Sequence, residues 1–173
     1  VGAVPLDVIL SDYHRLPKGL NQKVVLGRHG IPLLSYEIVN GRDTLNLNHV
    51  KFSVDSSRAG PNTGIVFKAD TQNLHITVAY SFNSDGYLGT VKGTAAGADS
   101  NAVVLIRMQH GLPFVEADSV DDLRNLAYVA KPVRDDAESI PFGKLDSLQP
   151  RIERDSLAWV ASKNKYFLLG PTG

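Results

Sequence analysis

The sequence contains no cysteine, which removes disulfide staples, thiolate metal sites and a cysteine nucleophile from consideration. It carries no net charge either: 18 basic residues balance 18 acidic ones. No long-range field therefore favours nucleic acid or an anionic membrane surface. Long apolar runs are missing as well. The longest uninterrupted aliphatic stretch is Ala102 to Ile106, far short of the roughly 20 residues that span a bilayer. Motifs of catalysis are equally scarce. Histidines 14, 29, 49, 75 and 110 stand singly, with no His-x-His or His-Glu-x-x-His spacing to hold zinc. There is no Gly-x-Ser-x-Gly elbow, and glycines 89, 93 and 97 lack the Gly-Lys-Ser/Thr ending of a phosphate loop, so they read as strand and turn glycines.

What is present is a succession of short extended segments. A chain of 173 residues is long enough for one domain that buries roughly 70% of its unfolded surface. The clearest pattern is Leu74, Ile76, Val78, Tyr80 and Phe82 alternating with His75, Thr77, Ala79 and Ser81, the period of two of a half-buried strand. Asp85-Gly86 then turns the chain, so residues 73 to 95 read as a hairpin. Asn40-Gly41 signals another tight turn, because both residues tolerate positive φ.

Val1 to Leu10, Lys23 to Leu26, Ile31 to Val39 and Leu126 to Val133 read as further strands, and Ala102 to Met108 as a strand buried on both faces. Asp55 to Gly64, rich in Ser, Gly, Pro and Asn, reads as an exposed loop. Ser119 with Asp122 three residues later predicts a short helix over 120 to 126. The total, ten to twelve strands with almost no helix, predicts an all-β antiparallel sandwich with one or two short helices.

The C-terminal stretch from Ser156 to Leu169 is the densest in aromatic and aliphatic residues, and it holds the single tryptophan. Leu157 to Ser162 alternate, Lys163-Asn164-Lys165 supply polar turn residues, and Tyr166 to Leu169 resume an apolar run. This predicts a closing hairpin. A core position for Trp159 predicts a cost of about 3 to 5 kcal/mol for Trp159→Ala; a position on an interface predicts less than about 1 kcal/mol. Arg151, Arg154, Lys163 and Lys165 surround the hairpin with positive charge, as a solvated rim or, where the chain leads to a membrane, as contacts to lipid headgroups.

Two further groupings have a chemical reading and a plainer one. His75 paired with Glu116 or Glu37 would supply general acid-base chemistry for a sugar; surface histidines are the plainer reading. Asp118, Asp121 and Asp122 would offer calcium oxygen ligands but lack the Gly and distal Glu of a calcium loop. A helix N-terminus favoured by its dipole accounts for them more simply. No catalytic, cofactor or metal constellation emerges.

The segment Trp159-Val-Ala-Ser-Lys-Asn-Lys-Tyr-Phe-Leu resembles the one that closes the large periplasmic domain of YidC-type membrane protein insertases. Gly2-Ala3-Val4 and Val8 to Tyr13, the strand order through residues 64 to 95, Val104-Leu105-Ile106 leading to His110-Gly111-Leu112, and the following acidic stretch are similar to that family in order. At the turn, Arg107-Met108-Gln109-His110 departs from the family's usual residues, and the family's first strand is shortened or absent.

The resemblance implies a β-supersandwich, related in fold to mutarotases and carbohydrate-binding modules, in residues 1–173. It also implies a place at the periplasmic face of the bacterial inner membrane, between a first transmembrane helix and the insertase core. The absence of an initiator Met and of a leader at Val1 fits a segment excised from such a protein. A non-catalytic role without cofactor follows, with Sec translocon accessory subunits and nascent membrane proteins as partners. Trp159, Tyr166, Phe167, Arg151, Arg154, Lys163 and Lys165 are its candidate interface residues. The alternatives are a carbohydrate-binding or mutarotase-like protein and a spacer without a partner.

Overall fold

A computed structural model of the protein describes residues 2–15, 22–27, 30–59, 62–71, 73–83, 86–108, 110–114, 119–146 and 152–171. Its strands in chain order are β1 (Ile9–His14), β2 (Lys23–Val25), β3 (Ser35–Asn40), β4 (Asp43–Asn46), β5 (Ser53–Ala59), β6 (Asn62–Asp70) and β7 (His75–Phe82). They continue with β8 (Gly89–Ala96), β9 (Val103–Arg107), β10 (Ala127–Pro132), β11 (Glu138–Pro141), β12 (Leu157–Lys163) and β13 (Leu168–Leu169). One helix, α1 (Ser119–Asn125), and two 3-10 turns complete the described elements. Every strand pairing is antiparallel, so the chain has the all-β class that its alternation predicts. The contacts gather into two compact units, one of Val1–Pro5 with Leu34–Arg107 and one of Leu6–Leu33 with Met108–Gly173.

The first unit holds a three-stranded sheet, β4-β3-β9, and a four-stranded meander, β5-β6-β7-β8. Tyr36 and Ile38 from β3 meet Ile76, Val78 and Tyr80 from β7 in one core, joined by Ala3, Leu47 and Leu74. This is sheet-on-sheet packing with alternate residues of each strand turned inward. In β7 the predicted face is buried from Leu74 to Tyr80, and His75 and Ser81 are exposed. Phe82, expected on the buried side, is exposed at the strand's end and stacks on Tyr80 with the rings 9° from parallel. The β3–β4 hairpin closes through Gly41 and Arg42, with Gly41 at φ +62°.

Two corrections concern this unit. Residues expected as an exposed loop after Asp55 are instead the facing ends of β5 and β6, paired from Ser53↔Lys68 to Ala59↔Asn62. Partner strands supply the ladder there, and the weak strand preference of Ser, Gly and Asn is overridden. Strand β9, expected to be buried on both faces, is exposed along its whole length. It is a sheet edge, paired only with β3 among the described strands. An apolar run is the same sequence signal whether its strand is central or marginal. The connection from β8 into β9 begins at Gly97, whose φ of +92° only glycine adopts readily, and any Cβ there would run into the carbonyl oxygen of Asn73.

At the centre of this core the Tyr80 hydroxyl lies 2.7 Å from the Ala3 carbonyl and 3.2 Å from the Tyr36 hydroxyl. Tyr80 has one proton to give, so the shorter bond to Ala3 takes it and Tyr36 donates to Tyr80. Burial pushes both phenols above the usual tyrosine range, because it disfavours the phenolate.

The second unit holds the β1–β2 pair and the sheet β11-β10-β12-β13. Strand β1 begins later than expected and runs through Ser11-Asp12 to His14, with an irregularity between Leu10 and His14. Pro5 has no N–H for a ladder, whereas the β1–β2 pairing continues outward into a bond from the Arg15 N–H to the Gln22 carbonyl at 2.8 Å. Leu10, Val24, Leu26 and Leu112 form a buried cluster, with Val8, Phe167 and Leu169 packed on it. Helix α1 falls where the acidic first turn predicts, with Asp121 and Asp122 in that turn.

Candidate interface at the closing hairpin

The C-terminal segment folds as the expected hairpin: β12 pairs with β13 through Ser162↔Leu169 and Lys163↔Leu168, and on its other side with the whole of β10. Close approach at the end of β13 depends on Gly170, where a Cβ would collide with the Val160 carbonyl and the Ala161 backbone. The turn is organised by Asn164, which the sequence marks only as a polar turn residue and the structure buries. Its Oδ1 accepts from the N–H groups of Tyr166 (3.0 Å) and Phe167 (2.8 Å), and its Nδ2 donates to the Pro113 carbonyl at 3.3 Å. Its own N–H donates to the Phe167 carbonyl at 3.0 Å. This is an Asx turn tied to the segment beside Leu112.

Asn164→Ala leaves two backbone donors and one acceptor without these partners, and should lower stability by about 2 kcal/mol. Asn164→Asp keeps the acceptor for both N–H groups and should recover part of the loss. Urea unfolding followed by Trp159 fluorescence checks both.

Around this turn the candidate residues divide. Phe167 is part-buried and meets Tyr13 edge-on, with ring centroids 5.5 Å apart. Tyr166 is exposed, and the Lys165 ammonium lies 5.3 Å from its ring centroid. Lys165 also pairs with Asp121 at 2.9 Å, which joins the hairpin to α1. The Lys165 hydrogen bond and charge hold the Asp121 carboxyl below the usual carboxylate range. Lys163 is part-buried in the ladder and Arg154 is exposed; Arg151 lies outside the described residues. Trp159 is part-buried, opposite Lys131 in the β10–β12 register, and is not among the residues that form the buried core. The hairpin turn thus offers an outer surface of Tyr166 and Lys165 over an anchored base of Asn164 and Phe167.

Elsewhere the chemical groupings resolve into structural pairs. His75 faces Asp70 across the β6–β7 ladder, with Nδ1 2.7 Å from Oδ1, and both side chains are exposed. Glu37 is not its partner. Glu37 accepts two bonds from the Arg107 guanidinium, at 3.1 and 2.8 Å, and one from Asn46 at 3.1 Å. Glu116 and Asp118 lie outside the described residues. Gly89 and Gly93 sit in β8 and Gly97 in the turn that follows. A small pocket beside His110 is lined by Leu26, Ile31, Pro32, Leu33 and Gly111, a mostly apolar wall with one imidazole and, among the described residues, no second titratable group. Among the described residues no three His, Asp or Glu side chains are grouped to hold a metal ion, and no helix is long and apolar enough to cross a membrane.

Sequence reasoning missed the anchoring role of Asn164 and the Tyr36–Tyr80 pair. A turn asparagine flanked by lysines is the signal for the first. No local signal exists for the second, whose members are 44 residues apart. No protein-family model, curated protein or solved structure matches the chain.

Proposed function

We propose that this chain is a non-catalytic domain of a YidC-type membrane protein insertase, standing at the periplasmic face of a bacterial inner membrane. There it docks or orients the machinery that helps inner-membrane proteins insert and fold. The observation that carries the reading is the closing hairpin. The segment from Trp159 to Leu168 that resembles the family is a braced element: β12 is paired along its length to β10, and its turn is tied down through Asn164. Such an element can pass force and orientation to whatever follows it in the chain. Sec translocon accessory subunits and nascent membrane proteins are the partners of this reading. The antiparallel all-β fold is in keeping with it.

The test is photocrosslinking in cells, in the full-length protein, with probes on the exposed positions of residues 73 to 95 and on Lys165 and Tyr166. Discrete adducts with a translocon subunit from one face are the expected result. A reading frame with no membrane-spanning helix before this segment and none after it would overturn the proposal.

The alternative, a sugar-binding protein, gains least from the geometry. In the first unit, which holds His75, the exposed aromatics among the described residues are Phe82 and Tyr87; they lie at or beyond one end of β7 and His75 begins the other. At about 3.3 Å per residue they are roughly 20 Å apart, too far to line one sugar ring.

A further inference from the structure

Of the chain's asparagines only Asn40 precedes a glycine. In such a pair the side-chain amide closes readily on the next main-chain nitrogen, because glycine puts no side chain in the way. The structure sets the pair at the end of β3, where Asn40 faces Asp43 across an exposed turn of Gly41 and Arg42. A strand residue holds its side chain roughly perpendicular to the sheet, so the Asn40 Cγ stands off the Gly41 nitrogen while that pairing is closed. The amide is also tethered from 59 residues away: its Oδ1 accepts the Asp99 N–H at 2.8 Å. Asp99 belongs to the connection from β8 to β9. Its carbonyl accepts from the Ala102 N–H at 3.0 Å, and its Oδ2 lies 3.7 Å from where a Cβ on Gly41 would sit.

We propose that Asn40 is a self-modification site restrained by the fold: Asp99 holds its amide away from Gly41, and local opening of this turn releases it to deamidate. In the opened turn the Gly41 nitrogen bonds to the Asn40 Cγ, the Cγ–Nδ2 bond breaks, and the Gly41 hydrogen leaves with the amino group as ammonia. Water then opens the five-membered imide. Attack at Cγ gives aspartate; attack at the main-chain carbonyl gives isoaspartate, whose main chain runs through the side-chain methylene and is one carbon longer.

The products do not refit the turn. Isoaspartate cannot restore the Asn40↔Asp43 pairing in register. Either product sets a new carboxylate opposite Asp43 and beside Asp99, and like charges so placed repel. A chain of 18 basic and 18 acidic residues thereby becomes net negative. A turn that has opened and reacted stays weakened, and the modified fraction records how much opening has occurred.

The test is independent of the functional reading above. The whole protein is incubated at mildly alkaline pH, in buffer and in strong urea, and Asn40 is followed by peptide mapping with mass spectrometry. Conversion should be at least about tenfold slower in the folded protein than in urea, with isoaspartate among its products. Asp99→Pro, which removes the N–H donor, should speed conversion in buffer about fivefold. Ala98→Gly, which loosens the same connection and keeps every donor, should speed it about threefold. Tyr80→Phe weakens the core and leaves the turn intact, so it should leave the rate in buffer unchanged, because local opening is the route. Equal rates in buffer and urea overturn the proposal. So do unchanged rates in the folded Asp99→Pro and Ala98→Gly variants, and so does acceleration by Tyr80→Phe, which would tie the reaction to unfolding of the whole unit.

Discussion

Tyr80→Ala is expected to lower the stability of the first unit by about 4 kcal/mol. The ring is buried between the two sheets, in edge contact with Phe67 at 5.9 Å, so its loss opens a cavity rather than a surface dent. The same change strips the Ala3 carbonyl and the Tyr36 hydroxyl of their partner, and orphaned buried polar groups cost about 1–3 kcal/mol each. Tyr80→Phe separates these contributions. It keeps the ring and loses the hydroxyl, so about 1–2 kcal/mol should go.

The pH dependence of the pair follows from the same burial. Both phenols are raised above their ordinary value in the folded chain, whereas in the unfolded chain they ionise near the usual value of about 10. Their contribution is complete below that value and falls as pH rises past it, because the unfolded state gains by releasing protons that the folded state holds. Urea midpoints by circular dichroism should be level through neutral pH and decline above about pH 10. A Tyr36→Phe/Tyr80→Phe variant should lose much of that decline; an equal decline in both proteins would show that the pair does not govern it.

The second large effect belongs to the other unit. Leu112 is 1% exposed and is among the largest fully buried side chains of the described residues, enclosed by Leu10, Val24 and Leu26. Leu112→Ala should cost about 3–4 kcal/mol, and Leu112→Met, which nearly conserves volume, less than about 1.5 kcal/mol. Trp159 lies in the same unit, so its fluorescence in urea reads the loss where it arises. Similar midpoints for the alanine and methionine variants would mean that the cluster is not packed as described.

Much of this architecture was legible in the residue pattern, for reasons that particular elements make clear. Strand β7 could be read because one face is buried and one is wet, which writes alternation into the sequence. Asn40-Gly41 and the acidic start of α1 could be read because turns and helix ends make local demands on single residues. The closing hairpin was visible for both reasons. Features that depend on partners distant in sequence were not. Strands β5 and β6 take their extended form from each other and from β7, so a Ser- and Asn-rich composition misleads. Strand β9 looks central because its residues are aliphatic, and only the sheet order makes it an edge. The pairing of Glu37 with Arg107 spans 70 residues and leaves no mark on either neighbourhood. Among the candidate interface residues, spacing located the hairpin but could not tell that Asn164 would be the buried anchor while Tyr166 faces outward.

The way the chain is shared between its two units has a consequence for synthesis. Residues 34 to 107 form a continuous block whose meander pairs neighbours in sequence, so most of the first unit's contacts can form as that block leaves the ribosome. The second unit is divided. Leu10, Val24 and Leu26 are made early, yet their cover comes from Leu112, Phe167 and Leu169. That apolar triplet gains Leu112 midway and the rest of its cover only when nearly the last residues of this sequence are made. Pairing across so long a stretch is slow, and it leaves sticky surface open meanwhile. A nascent chain halted before Phe167 therefore carries one nearly finished unit and one whose apolar cluster still lacks part of its cover, the state in which a chaperone would find most to hold.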